Sequence, residues 1–247
     1  SQLEYGRLDP QFYRPEFLAM KQVLVASGLP LRRLGAMSEK IDVGYVGPMV
    51  HEYSEEGILL LRSQNIAEFY IDPSKSPVFI GRAFHRTLRK SQVSPGDILI
   101  TRSGTAGNAA IVPQGFGEAN SADIIIIRAK SDVSPWFLIA FLNSKYGRFQ
   151  IDRQVSGGVQ GHLNLTIAAD ILVPECDPQS VKSIESSIQS ALALMDESRT
   201  EYSAALTRLE ASIGVTSLTD AYVKSYETSF AEAVASHRCD AQHFRPE

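Results

Sequence analysis

The pattern of apolar and polar positions changes character twice along the chain. From about Arg14 to Ser27, Phe17, Leu18, Met20, Val23 and Leu24 recur at near-helical spacing and stop before Gly28 and Pro30. That spacing predicts a short leading helix. From Gly57 to about Lys130 the apolar residues come in brief β-rich runs: ILLLR at 58–62, IAEFYI at 66–71, DILITR at 97–102, AAIV at 109–112 and DIIIIRAK at 123–130. Glycine and proline punctuate them, which predicts a mixed, twisted sheet with short connections. Ser134 before Pro135 supplies a cap and a first position for a helix through Trp136, Phe137, Ile139, Phe141 and Leu142, packed on that sheet. Trp136 is expected to be a core residue.

The last third is of another kind. Asp177 and Pro178 open a stretch that holds no Gly or Pro until Gly214. As a helix it would measure roughly 54 Å, more than the roughly 40 Å diameter of a globule built from the preceding residues. It must therefore project or pack on another helix. Ile188, Leu192, Met195, Tyr202, Leu206, Leu209 and Ile213 alternate by four and three, with Arg199 the polar member of the seam, as in a two-helix coil. Its partner is either the segment after Ser217, where Leu218, Tyr222, Tyr226 and Phe230 form a second stripe, or a helix of another chain. Residues 7–16 (RLDPQFYRPE) and 238–247 (RCDAQHFRPE) share six identities in ten, which reads as one full repeat followed by the opening of a second. The expected class is α+β. A twisted mixed sheet with short helices occupies 1–176, a long coiled-coil-forming helix 177–214, and a second helix with the start of a repeat 215–247.

Composition narrows the functional classes. With 247 residues and 44% hydrophobic content the chain can bury a full core without metal or disulfide. Its two cysteines, Cys176 and Cys239, have no metal-type spacing, and a reducing cytoplasm is expected. No apolar run is long enough to span a membrane, and the first residues lack the pattern of a signal peptide. The net charge of −4 argues against a polyanionic partner until its distribution is read. Residues 1–169 hold 18 Lys/Arg against 15 Asp/Glu, whereas 170–247 hold 6 against 13. Within 62–153 the count is 12 against 7, and Gly81–Lys90 (GRAFHRTLRK) has four basic residues, a histidine and no acid. That segment is either a basic patch or a solvated loop.

Several local motifs resemble the specificity subunits of Type I restriction-modification systems. They are LLLRSQNI at 59–66, GDILITRSGTAGNAAIV at 96–112, SGGVQGHLNLTIAADILVP at 156–174, the long helix after them and the opening LDPQFYRPE. The likeness covers roughly residues 5–213, and the second motif is its most specific part. One departure is the helix opening, usually Pro followed by Glu-Gln in that family and here PECDPQSV. The resemblance implies a non-catalytic target-recognition domain that reads one part of a split site in double-stranded DNA. It implies spacer helices that set the distance between the parts and dock methyltransferase subunits, beside an endonuclease subunit, with no cofactor of its own. A second copy of the chain is a further expected partner through the long helix, and no membrane is involved.

The residues are consistent with that division. A complete adenine methyltransferase needs a cofactor-binding Gly-rich turn and an Asn/Asp-Pro-Pro-aromatic motif; Gly115 and Gly117 lack that context, and no phosphate-binding loop ending in Lys-Ser/Thr occurs. A DNA reader needs glycines where backbone approaches phosphate, and Arg, Lys, Asn or Gln at base edges. Arg102, Ser103, Gly104, Thr105, Gly107 and Asn108 supply both, as do Gly157, Gly158, Gln160, His162 and Asn164. Each segment also suits a plain hairpin turn or surface loop. Arg62, Ser63 and Gln64 leave a strand where they can enter a groove, and Arg82, His85, Arg86, Arg89 and Lys90 suit phosphate contact. Three rival readings stay open: a protein-interaction scaffold, the recognition domain of a fused Type II restriction enzyme and methyltransferase, and a hydrolytic triad of Ser103, His162 and Asp123 without the usual strand-to-helix elbow.

Overall fold

The computed structural model describes residues 8–104, 106–155, 162–213 and 229–237. Its contacts divide the chain into two units, Ser1–Leu194 and Met195–Glu247. The class is α+β, with twisted sheets and a long helix, as the pattern predicts.

The first unit is layered around a four-stranded antiparallel sheet of β2 (Ser38–Val43), β10 (Ile124–Ala129), β7 (Ile98–Thr101) and β8 (Ala109–Ile111), in that order. Side chains alternate across a strand, so the Ile124–Ile127 run serves two cores at once. Ile125 and Ile127, with Ile98, Ile100, Ala109 and Ile111, pack against Leu138, Ile139 and Leu142 of α4 (Pro135–Asn143) and Ile151 of α5 (Lys145–Val155). Ile124 and Ile126, with Leu99, Ala110 and Val112, face Leu61 and Ala119 of a second sheet. Both faces are covered, and the strands accordingly read as continuous apolar runs rather than alternating ones.

The second sheet has five strands, ordered β3 (Tyr53–Ser54), β5 (Phe79–Ile80), β4 (Ile58–Leu61), β9 (Ala119–Ser121) and β6 (Gln92–Val93). It is mixed, because β4 and β9 run parallel while the other pairs are antiparallel. A third cluster of Met49, Ile58, Leu60 and Ile80 is joined by Tyr45, Phe84 and Leu88. A two-stranded pair, β1 (Leu31–Arg33) with β11 (Leu172–Pro174), completes the strands.

The leading helix is α1 (Pro15–Ala26), with Phe17 and Leu24 buried and the Phe17 ring set edge-on to Phe149 of α5 at 5.5 Å. Leu18 and Val23 are exposed, so only half of the apolar stripe faces the core. Ahead of α1, Asp9 caps a 3₁₀ turn (Pro10–Tyr13) by accepting from the Phe12 amide. Phe12 is wholly buried under Arg153, whose Nε donates to its carbonyl and whose guanidinium lies 4.0 Å from its ring centroid. The similar segment 238–247 lies outside the described residues. Ser134 caps α4 through the Phe137 amide, and Trp136 is half-buried against the helix-side core.

One run departs from expectation. IAEFYI at 66–71 is no strand but a reversal: Ile66 bridges Ile71, the Ala67 amide donates to Tyr70 O, and Phe69 takes φ 72°. The apolar alternation survives because both isoleucines are buried at the base of the turn. Local pattern alone cannot separate a folded-back pair from one straight strand. β2 was not legible either, since its SEKIDV has only two apolar positions, Ile41 and Val43, both on one face, and it takes its place by pairing with β10.

The long helix is α7 (Pro178–Ile213), 36 residues without interruption. Asp177 caps it, accepting from the Ser180 amide at 2.9 Å and hydroxyl at 2.6 Å. Those bonds hold its carboxyl below the usual carboxylate range. Val181, Ile184 and Leu192 pack against the helix-side core of the first unit, and Ile188 is half-buried. In the second unit Met195 is half-buried, while Tyr202 (68%), Leu206, Leu209 and Ile213 (61%) are exposed. Of the expected second stripe only Phe230 falls among the described residues, as the first residue of α8 (Phe230–Ser236); Leu218, Tyr222 and Tyr226 lie outside them. No helix among the described residues is long and apolar enough to cross a membrane.

Buried Asp97 ties one end of the central sheet together, accepting two bonds of 2.8 Å from Arg128 and one of 2.9 Å from the Ser94 amide. Asp97→Ala leaves three donors without their acceptor, and is expected to cost about 3 kcal/mol in urea unfolding. A loss below about 1 kcal/mol would show that the pair is dispensable.

Candidate nucleic-acid interface

Strand pairing decides which polar residues meet. Thr101 pairs with Ile124, so the residue after β7 and the residue before β10 leave the sheet side by side. They are Arg102 and Asp123, with Arg102 Nη1 3.3 Å from Asp123 Oδ1. Ser103 donates its hydroxyl to Asp123 Oδ2 at 2.8 Å. Asp123 adopts φ 53°, a conformation Asp tolerates better than most residues, and its amide donates to Tyr45 O. This contact also disposes of the triad reading. The serine hydroxyl ends directly on the carboxylate and His162 is exposed, whereas a triad needs an imidazole between the two.

The β7–β8 connection is pinned at its base. Thr101 N donates to Asn108 O at 3.0 Å, Gly107 N to Thr101 O at 2.8 Å, and Asn108 N to Thr101 Oγ1 at 3.0 Å. Gly104 and Gly107 supply the positive φ values of 69° and 92° that the reversal needs. From outside, Asn143 of α4 grips both backbone groups of Ala109, and Arg148 of α5 donates to Asn108 Oδ1 at 3.1 Å.

Of the second Gly-rich segment, His162, Leu163 and Asn164 fall among the described residues, and Leu163 lies beside this turn. Leu163 N donates to Arg102 O at 3.1 Å, bringing the two loops together. Asn164 accepts from the Ile167 amide and so caps α6 (Leu165–Ala169). Thr105, Gly157, Gly158 and Gln160 lie outside the described residues.

Arg62 and Gln64 leave β4 at the same end of the five-stranded sheet, since Leu61 pairs in parallel with Ser121. Their side chains turn to protein. Arg62 Nη2 donates to Ser76 O at 2.7 Å and Gln64 Nε2 to the same oxygen at 3.4 Å, while Asn65 holds Asp72 O and Lys75 O. Ser63 is half-buried. These residues clamp the 72–76 turn. Among the described residues, Arg62 Nε and Arg102 Nε are the buried side-chain polar atoms left without a hydrogen bond.

The basic segment forms α3 (Arg82–Thr87) and a 3₁₀ turn, Arg89–Ser91. Arg82, Arg86 and Arg89 follow at four-three spacing and are exposed, as is Lys90, whereas Phe84 and Leu88 face the third cluster. Arg82 pairs with exposed Glu118. His85 is buried, in contrast to its neighbours, and its Nδ1 lies 3.2 Å from Asn120 Nδ2. Asn120 also donates to Leu88 O and accepts from Ser121 N, Gln92 donates to His85 O, and Ser121 Oγ donates to Ser91 O. Lys40 Nζ reaches Lys90 O at 2.6 Å. A buried polar network thus fastens the arginines to β9.

The sequence reading missed Arg148, Asn120 and Asn143, each supplied by an element remote in sequence from the residue it holds. No local motif marks them. Among the described residues no group of three His, Cys, Asp or Glu side chains is placed to hold a metal ion.

No protein-family model matches the chain, and no curated protein does. Among solved structures it is similar to the S subunit of a Type I restriction-modification system from M. genitalium, with 15% identity, a TM-score of 0.50 and coverage of 82% of this chain and 49% of that one. It is similar to the type IIG restriction endonuclease BpuSI, with 11% identity, a TM-score of 0.52 and coverage of 72% of this chain and 28% of that one. The HsdS subunit from Thermoanaerobacter tengcongensis also matches, at 17% identity and a TM-score of 0.49, over 79% of this chain and 49% of that one. The chain shares its fold with the M. genitalium S subunit, and it spans about half of that protein's length.

Asn120 is wholly buried and satisfies three partners at once. Asn120→Ala is expected to cost about 1–3 kcal/mol and to raise hydrogen exchange at amides 82–91 more than elsewhere. Unchanged exchange in that segment would show that α3 is held by its apolar contacts alone.

Proposed function

We propose that this chain is the DNA-reading part of a Type I restriction-modification specificity subunit, itself non-catalytic and without cofactor. It reads one part of a bipartite duplex target and docks the methyltransferase and endonuclease subunits that carry the chemistry in the cytoplasm. The observation that carries this reading is the joining of two polar loops, through Leu163 N and Arg102 O, on a fold shared with the M. genitalium S subunit. The loops offer Asn108, Ser103 and His162, and the arginines of α3 offer phosphate contacts that fix register. The match to BpuSI favours a second reading, the recognition domain of a fused restriction enzyme. Both readings assign the same task to these loops.

Salt and sequence dependence test it. The full chain should bind duplex DNA weakly and more weakly as salt rises. Arg86→Ala or Lys90→Ala should weaken all sequences alike and flatten the logarithmic salt slope by about one unit. Asn108→Ala should instead relax choice at one base, by about 1–3 kcal/mol if the contact is bidentate. Variants that kept the parent's affinity, motif and slope would remove these surfaces from the reading.

The exposed seam of Tyr202, Leu206, Leu209 and Ile213 supports a paired helix, from a second repeat or a second copy, that sets the gap between half-sites. One heptad added after Met195 preserves the seam and adds roughly 10 Å, at most about three base pairs. Mapping of modified sites beside the partner methyltransferase should then show unchanged half-sites and a gap longer by about one to three base pairs. An active variant with an unaltered gap would reduce the helix to a docking element.

A further inference from the structure

We infer that Glu118 is a built-in counter-ion that withholds Arg82 from the DNA backbone, so that the basic segment engages phosphates through Arg86, Arg89 and Lys90 alone. The inference rests on the DNA-reading proposal above and narrows it. Residues 81–90 hold four basic side chains and no acid. The fold returns one from 36 positions further on, where Glu118 Oε2 accepts from Arg82 Nη1 at 2.8 Å. Among the described residues Arg86, Arg89 and Lys90 have no carboxylate partner.

Both members of the pair are held at their backbones. Glu118 directly precedes β9, whose Ala119 pairs with Leu59 on one side and Val93 on the other. Arg82 opens α3 after Gly81, and Ile80 just before it is wholly buried. The two side chains are exposed, so the pair adds little to stability and can part. Parting does not free the charge, however. If Arg82 turned to a phosphate it would exchange one anion for another, and Glu118 would be left unpaired within the roughly 10 Å over which charges act at 0.1 M salt. The pair thus brings no net charge to the duplex and gains nothing by opening. An unpaired cation that meets a phosphate, in contrast, releases a counter-ion and adds about 0.9 to the logarithmic salt slope.

The test is binding of one duplex by the full chain over a series of salt concentrations, for the parent, Glu118→Gln, Arg82→Gln, the double variant and Arg86→Ala. All three positions are exposed, so no exchange removes a core contact. Glu118→Gln should bind about fivefold more tightly at low salt and steepen the slope by about one unit, as a fourth cation reaches phosphate. Arg82→Gln should keep the parent's slope, and in that background Glu118→Gln should leave it unchanged, because no cation is there to be released. Arg86→Ala should flatten it by about one unit. A slope that falls by one unit with Arg82→Gln would put Arg82 on phosphate in the parent and overturn the inference. So would a slope that Glu118→Gln leaves unaltered, or steepens equally without Arg82, while Arg86→Ala flattens it. If Arg86→Ala has no effect either, or the parent binds no duplex, the DNA-reading proposal itself fails and this inference with it.

Discussion

Because side chains alternate across a strand, the four consecutive isoleucines of β10 deliver two to each of two separate cores, and neither core closes without them. Each contributes roughly 1.5–3 kcal/mol of burial, so this strand alone supplies an amount comparable with the net stability of a domain, about 5–15 kcal/mol. The same arrangement creates a difficulty. A strand that is apolar on both faces can slip by one residue without exposing anything polar, so hydrophobic pattern leaves its register open. The charges at its ends close that freedom. Arg128 grips Asp97 at one end, and Asp123 turns out of the sheet beside Arg102 at the other.

The candidate interface inherits that register. Arg102 and Asp123 meet because Thr101 pairs with Ile124, and the Asn108 end of the loop is fixed by residues from α4 and α5. The Asn108 end of the loop is therefore mounted on the packed sheet and its covering helices. That is what a reader of base edges requires, because a loop that pays to become ordered on binding has less free energy left for discrimination.

Charge is handled in the same way. Arg82, Arg86 and Arg89 are exposed, and Arg82 and Arg86, one helical turn apart in α3, repel each other by a few tenths of a kcal/mol. The buried network of Asn120, His85 and Gln92 holds the segment in place despite that repulsion. A chain of net charge −4 can present a basic surface because most of its acidic excess lies after residue 170.

By itself the sequence determined what depends on near neighbours. The Ser134 and Asp177 caps, the uninterrupted Pro178–Ile213 helix, the apolar runs of β4, β7, β8 and β10 and the glycine-bearing β7–β8 turn are all set by spacing and local hydrogen bonding. Only the tertiary structure decided matters that turn on partners distant in the chain. It paired the polar-looking β2 with β10 and folded Ile66–Ile71 back on itself. It buried His85 amid exposed arginines, spent Arg62 and Gln64 on the 72–76 turn, and set Arg148 against Asn108 across 40 positions. The physical reason is the same in each case. A side chain's donors and acceptors are committed by whatever lies within about 3 Å, and that neighbour is chosen by sheet register and helix packing rather than by adjacent residues.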